Sequence, residues 1–336
     1  MHPTKPFVLF FNPVKFARPF YKQLQQVAHT EVVIPQSRIE FFQDLQDKYR
    51  NIFAIYRTSS SGATSSITSR SAASISATMA PASKLEPSNT HWQMALTSSK
   101  RLRHHCYNRL RNRGIIVTNP PDPVTDATAD LAVFLLGALC QLNPAMASLR
   151  AGTFKTGVHV GNDPQNKEEA VRCVRPETIY HNRSPLPAAQ AGGAEEVSFE
   201  NLLRQSDIIT MNVPLTARTT HLTGPAELAR MKAGVVIVNT ARGAIIDETA
   251  LAEALESGHV GAVGLDVYER EPEIHERLLK QERAMLVPHV GTHTAEALGK
   301  METWAMENLR RAVVGEDLLS PVSEHQGLAL SRGVSL

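Results

Sequence analysis

Short apolar runs alternate with polar, helix-period segments along this chain. Near the start, "FVLFF" (7–11), "EVVIP" (31–35) and "IFAIYR" (52–57) read as strands, with "RPFYKQLQQVA" (18–28) and "RIEFFQDLQDKY" (38–49) as helices between them. Strand alternating with helix predicts a parallel sheet, because parallel neighbours need a crossover long enough to hold a helix. The alternation resumes through "TIYHNR", "SFENLLRQ", "DIITMNVP", "AELARM", "GVVIVNTARG", "ETALAEALESG", "GAVGLDVY" and "AMLVPHVG". These strands are continuous runs rich in Val and Ile, the pattern of a sheet covered by helices on both faces, so a doubly wound α/β domain is predicted. Asp247 is expected to cap the helix "ETALAEALES" and Gly258 to close it in the left-handed conformation.

The two patterned parts are joined through less regular chain. Residues 58–82 are mostly Ser, Thr and Ala, with too little apolar surface to offset the entropy of ordering, and residues 83–113 lack clear periodicity. A strand is then expected at Ile115–Thr118, followed by a Pro-rich turn, with Thr125 or Asp126 as the N-cap of a helix over 126–149. That helix is apolar nearly all round, which predicts burial between domains or at a subunit contact. The tail after Pro321 reads as disordered.

Composition narrows the function classes. The chain has 336 residues, enough for two domains, and its 42% hydrophobic and 20% charged content is that of a globular protein. The formal net charge of +2 gives no global field for nucleic acid or acidic membrane. The cluster "KRLRHHCYNRLRNR" is basic, but no nucleic-acid-binding motif accompanies it, so no nucleic-acid partner is expected. Cys106, Cys140 and Cys173 are too widely spaced for a disulfide framework or a metal-ligand pair. The longest apolar run, "LAVFLLGALC", is too short to span a bilayer. A cytoplasmic protein with no metal and no membrane partner is expected.

In doubly wound sheets, ligands gather at the carboxyl ends of the strands. Polar groups stand there at Asn182 and Arg183, at Asn212 to Pro214, at Arg242 and at Asp266, with Glu271 and His289 further on. The segments "VTDATADLAVFLL", "GNDP", "IYHNRS", "NVPLTARTTHL", "MKAGVVIVNTARGAIID", "ALESGHVGAVGLDVYEREP" and "VPHVGTHT" together resemble the D-isomer-specific 2-hydroxyacid dehydrogenases, in particular fungal glyoxylate and hydroxypyruvate reductases. The likeness is dense over 112–312 and loose over 1–62.

What the resemblance implies is specific. It implies a Rossmann-like dinucleotide-binding domain over 126–293, and a flavodoxin-like substrate domain over 1–125 that is completed by 294–320, leaving 321–336 as a tail. Arg242 would bind the carboxylate and keto oxygen of a small 2-oxo acid, His289 would exchange a proton with the carbonyl oxygen, and Glu271 would hold the imidazole and favour its protonated form. Asp266 would meet the nicotinamide carboxamide, and Asn182, Arg183, Ser184, Asn212, Val213, Pro214, Thr219, Thr240, Ala241 and Gly291 would line the cofactor. A homodimer is implied, with the 126–149 helix at the contact. At the end of the second strand, where an acid ordinarily meets the ribose 2′-hydroxyl, "HNRS" places an amide, a cation and a hydroxyl, which favours NADP(H) over the alternative, NAD(H).

Two stretches depart from the family pattern. A dinucleotide unit needs about 30 residues from its first strand through a G-x-G-x-x-G turn to its second strand. Here Lys167 to Arg183 offers seventeen residues, and no glycine lies between Gly161 and Gly192. The first strand and the phosphate-binding turn are therefore expected to be missing, with "GVHVG" (157–161) too short to replace them, and activity impaired. Likewise, 58–113 stands where the family carries a glycine-rich substrate loop. The alternative reading is a non-catalytic relative that senses a dinucleotide, in the manner of a corepressor.

Overall fold

A computed structural model describes residues 5–11, 13–34, 52–56, 116–118, 125–138, 141–154, 156–160, 178–322 and 325. The predicted helix over 38–49, the Ser/Thr-rich and basic stretches within 58–113, the region of the missing glycine turn at 161–177 and the tail from 326 lie outside these residues. The chain divides into two compact units, one formed by Met1–Thr125 with His293–Leu336 and the other by Asp126–Thr292.

In the first unit, strands β1 (Phe7–Phe10), β2 (His29–Val32) and β3 (Ile52–Tyr56) form a parallel sheet in the order β2-β1-β3. Helix α1 (Arg18–Val27) links β1 to β2, and its Leu24 enters a core with Val8, Phe10, Ala54 and Tyr56. Residues from the far end of the chain complete that core. Ala305, Met306, Leu309 and Val313 belong to a 20-residue helix, Ala295–Val314, designated α9 below, which is capped by the Thr294 hydroxyl and closed by left-handed Gly315.

The predicted strand Ile115–Thr118 is reduced, among the described residues, to a single antiparallel bridge between Thr118 and Pro321. The start of the tail is also ordered, contrary to expectation. The Val322 N–H donates to the Val117 carbonyl at 3.0 Å, and the Val117 N–H donates to Nδ1 of the fully buried His325. The start of the tail packs here because its backbone and the His325 ring supply hydrogen-bond partners for the Val117 peptide groups.

The second unit begins with α2 (Thr125–Leu135), a 3-10 turn (Leu136–Ala138) and α3 (Leu142–Arg150). The single helix expected over 126–149 is thus interrupted. Gln141 takes a left-handed φ of 56° between the two pieces, Gly137 lies in the tightened turn, and Pro144 falls in the first turn of α3, where its missing N–H is tolerated. Thr125 is the first residue of α2, and Asp126 places its charge in the first turn, against the positive helix end. The expected burial is partial: Ala132, Leu135, Leu136 and Ala138 are buried, but Phe134, Leu142, Met146 and Leu149 are exposed on this chain. Residues 157–160 form no strand.

Beyond these come β4 (Ile179–Tyr180), α4 (Ala188–Ala191), β5 (Glu195–Glu196), α5 (Phe199–Gln205), β6 (Ile208–Met211), α6 (Pro225–Arg230), β7 (Val235–Asn239), α7 (Glu248–Glu256), β8 (Val260–Leu265), α8 (Glu276–Leu279) and β9 (Ala284–Leu286). The strands form two parallel sheets, a small β4-β5 pair and a four-stranded β6-β7-β8-β9. Among the described residues, no pairing joins the two. The larger sheet is covered on both faces. Ile209, Met211, Ile237, Val263 and Leu265 meet α5 to α8 residues such as Leu203, Leu228, Leu251 and Leu278, while Ile208, Val236, Val238, Ala262 and Met285 meet α2 and the turn after it. Consecutive residues of one strand thus enter opposite cores, which is why the strands contain no polar alternation. Gly264 has Leu135 only 2.8 Å from where a Cβ would stand, so α2 packs hard on β8.

Candidate active site

The loops at the carboxyl ends of β6 to β9 hold most of the residues singled out from the sequence. β7 ends in buried Asn239, and Thr240, Ala241 and Arg242 follow it. The Asn239 side chain clasps this loop: its Oδ1 accepts from the Ala241 N–H and its Nδ2 donates to the Arg242 carbonyl, both at 3.0 Å. Next comes Gly243, where a Cβ would stand 1.9 Å from the Tyr268 carbonyl carbon, so glycine is required for this loop to lie against the loop after β8.

Arg242 is half-buried, and its Nη1 donates to the Ala241 carbonyl at 2.5 Å. No carboxylate pairs with it at contact distance among the described residues. Burial pulls its pKa below the usual value, while the nearby Glu271 charge opposes that shift. A guanidinium does not lose its proton under such a shift, so the loop presents a permanent cation whose field is weakly screened.

Glu271 and His289 form a close pair. Glu271 is buried and accepts the Tyr268 N–H at 2.9 Å on one oxygen, while its other oxygen lies 3.0 Å from Nδ1 of His289. The opposite ring nitrogen, Nε2, has no hydrogen bond among the described residues, leaving it able to face a ligand. His289 takes a left-handed φ of 55°, uncommon for a residue with a side chain. Asp266 stabilises that turn, accepting the Val290 N–H at 2.6 Å and the Gly291 N–H at 2.9 Å, one on each carboxylate oxygen. Burial raises the Asp266 pKa, and those two N–H groups and His289 counter the rise. The Tyr268 hydroxyl donates to the Leu265 and Val287 carbonyls, tying the ends of β8 and β9 together. Arg242, Glu271 and His289 are thus brought into one neighbourhood.

The remaining candidates are placed as follows. Asn182, Arg183 and Ser184 are exposed just past β4, and Asn182 Oδ1 accepts the Arg183 N–H. Asn212 is exposed past β6, with its Nδ2 donating to the Thr210 hydroxyl; Val213 packs against the core. Thr219 closes the same loop on itself, its hydroxyl donating to the Pro214 carbonyl and accepting the Thr216 N–H. Asn239, Gly243 and Tyr268 were not singled out from the sequence. The signal for Asn239 was available, since it is the one polar residue in the buried run "VVIVN" and stands three positions before the arginine.

Comparison with known proteins places this arrangement in context. Residues 144–291 match the family model described as D-isomer specific 2-hydroxyacid dehydrogenase, NAD binding domain. The chain is 40% identical over 232 residues to 4-methyl-2-oxopentanoate reductase A of Aspergillus oryzae, covering 65% of this chain and 70% of that protein. It is also 40% identical over 237 residues to glyoxylate reductase 1 of Saccharomyces cerevisiae, covering 64% and 68% respectively. Among solved structures, a glyoxylate reductase from Paecilomyes thermophila superposes with a TM-score of 0.79 at 33% identity, covering 96% of this chain and all of that one.

Proposed function

The chain belongs to the D-isomer specific 2-hydroxyacid dehydrogenase family of oxidoreductases, and on that footing we propose that it reduces a small 2-oxo acid, glyoxylate or hydroxypyruvate, to the corresponding 2-hydroxy acid. The observation that carries the reading is the His289–Glu271 pair, with one imidazole nitrogen held and the other open among the described residues, in the electrostatic neighbourhood of a half-buried arginine that, among the same described residues, lacks an ion-pair partner at contact distance.

In this reading, Arg242 binds the substrate carboxylate and keto oxygen through parallel N–H donors. His289 holds a proton at Nε2 and passes it to the carbonyl oxygen, while Glu271 fixes the ring by accepting from Nδ1. The family's nicotinamide dinucleotide supplies the hydride when bound. The residues present fit its nicotinamide end. Each Asp266 oxygen keeps a lone pair beyond the N–H it accepts, and Gly291 leaves the space beside Oδ2 clear, where a Cβ would stand 2.9 Å away. Asn212, Thr240 and Ala241 would complete that end. Arg183, with Asn182 and Ser184, would face the 2′-phosphate of NADP(H). The exposed apolar side chains of α2 and α3 would meet a second copy in a cytoplasmic homodimer. Lacking a G-x-G-x-x-G turn, the chain is proposed to hold the pyrophosphate weakly and to turn over slowly.

The test follows NADPH consumption with glyoxylate, for this protein and for Arg242→Ala. A loss of about a hundredfold or more in kcat/KM is expected in the variant, as for other removed transition-state contacts. Equal rates would remove Arg242 from the chemistry. Tight NADPH binding without turnover would favour a dinucleotide sensor instead.

A further inference from the structure

We infer that Asn239 is a positioning residue: its side-chain amide, clasping the Ala241 N–H and the Arg242 carbonyl, sets where the Arg242 guanidinium points. The inference rests on the reading of Arg242 as the anion-binding residue.

Asn239 ends β7 almost fully buried, at 1% exposure, so its amide is held by packing. Its two hydrogen bonds use both ends of the amide and bracket the backbone from the Ala241 N–H to the Arg242 carbonyl, with the Ala241 carbonyl between them. The geometry then passes to the side chain through that residue. The Ala241 N–H is held by Asn239, and the Ala241 carbonyl accepts from Arg242 Nη1, so any rotation of the Ala241 peptides carries the guanidinium with it. On its other flank Arg242 is followed by Gly243, pressed against the Tyr268–Glu269 peptide. The Asn239 backbone carbonyl also accepts the Asp266 N–H at 3.0 Å, linking the loop after β7 to the one after β8. Besides the Arg242 guanidinium itself, no hydrogen bond from another polar side chain reaches the backbone between Thr240 and Arg242 among the described residues. An apolar residue at 239 would continue the strand equally well, but would leave a buried N–H and C=O to find other partners.

The experiment compares Asn239→Ala and the near-isosteric Asn239→Asp, which keeps the acceptor for Ala241 but turns an oxygen toward the Arg242 carbonyl. For glyoxylate, kcat/KM is expected to fall by about a hundredfold, the scale of a small misplacement of a catalytic group, with the KM for NADPH unchanged within about twofold. Introduced into Arg242→Ala, the same substitution should cause no further fall, because its effect runs through the arginine. An equal factor in both backgrounds, or unchanged glyoxylate kinetics in both variants, would overturn the inference. If the unmodified protein does not turn over glyoxylate, the proposed reaction fails, and the inference is read from the arginine Nε–H signals in the NMR spectrum. The Arg242 signal, identified by its loss in Arg242→Lys, should move or broaden in either Asn239 variant. An unmoved signal would refute the positioning role whatever the reaction.

Discussion

Single residues at strand ends divide here into those with their polar atoms already engaged and those left open to a ligand. Thr219 and Asn239 are engaged, closing loops. The outer nitrogen of His289 is open, and so is Arg183, which is exposed and makes no ion pair among the described residues. That openness allows a direct test of cofactor choice. Arg183→Asp is expected to raise the KM for NADPH at least about tenfold while lowering that for NADH, because a carboxylate repels a 2′-phosphate and accepts from a 2′-hydroxyl. Parallel steady-state kinetics with the two nucleotides would show it, and an unchanged ratio would make Arg183 a plain surface residue. The candidate arginine, acid and histidine were singled out by their places at or beyond strand ends together with the family resemblance of the segments that carry them. Asn239 and Gly243 were not, since an amide clasp and a close backbone approach depend on distances across loops that no spacing reveals.

At the level of elements, α9 joins distant parts of the chain through buried Glu302. Its carboxylate accepts the N–H groups of Lys15, Phe16 and Ala17 at 3.2, 2.6 and 2.9 Å, holding the turn that leads into α1. Glu302→Ala would remove the acceptor of all three donors and leave the buried Ala17 N–H without it, and a loss of about 3 kcal/mol is expected in urea denaturation of this unit. A loss under about 0.5 kcal/mol would mean that water replaces the carboxylate at little cost. Further along α9, hydrogen bonds from Arg310 and then Arg311 pull the Glu307 pKa below its ordinary 4.5. A depressed acid stabilises the fold above its unfolded-state pKa, and the benefit disappears as pH falls through the folded-state value. Glu307→Gln should therefore lower stability by about 0.5 kcal/mol at neutral pH, and the gap should close at acid pH. Buried Asp266 runs the other way, its raised pKa weakening the fold as pH rises through it. The helices α1 and α7 were read from the sequence, whereas the break between α2 and α3 was not, although Gly137 and Pro144 flank the left-handed Gln141 and are the residues that mark it.

At the scale of the whole molecule, Phe134, Leu142, Met146 and Leu149 are exposed on one chain although the sequence around them is apolar. A second copy would cover them, and sedimentation is expected to give twice the chain mass, reduced to one by Leu149→Asp combined with Met146→Asp. A monomeric unmodified protein would refute this. Among the described residues no single helix is long and apolar enough to cross a membrane, although the broken pair Thr125–Ala138 and Leu142–Arg150 passes by length and composition. What the sequence determined by itself was the α/β pattern, the parallel connectivity and the residues standing past each strand, because strand period, crossover length and capping act over a few neighbouring positions. Only the tertiary structure decided that the tail docks on Val117 and that Glu302 holds the entry to a helix some 285 residues away. Those contacts join residues whose separation along the chain carries no periodic signal, and burial in a shared core is what brings them together.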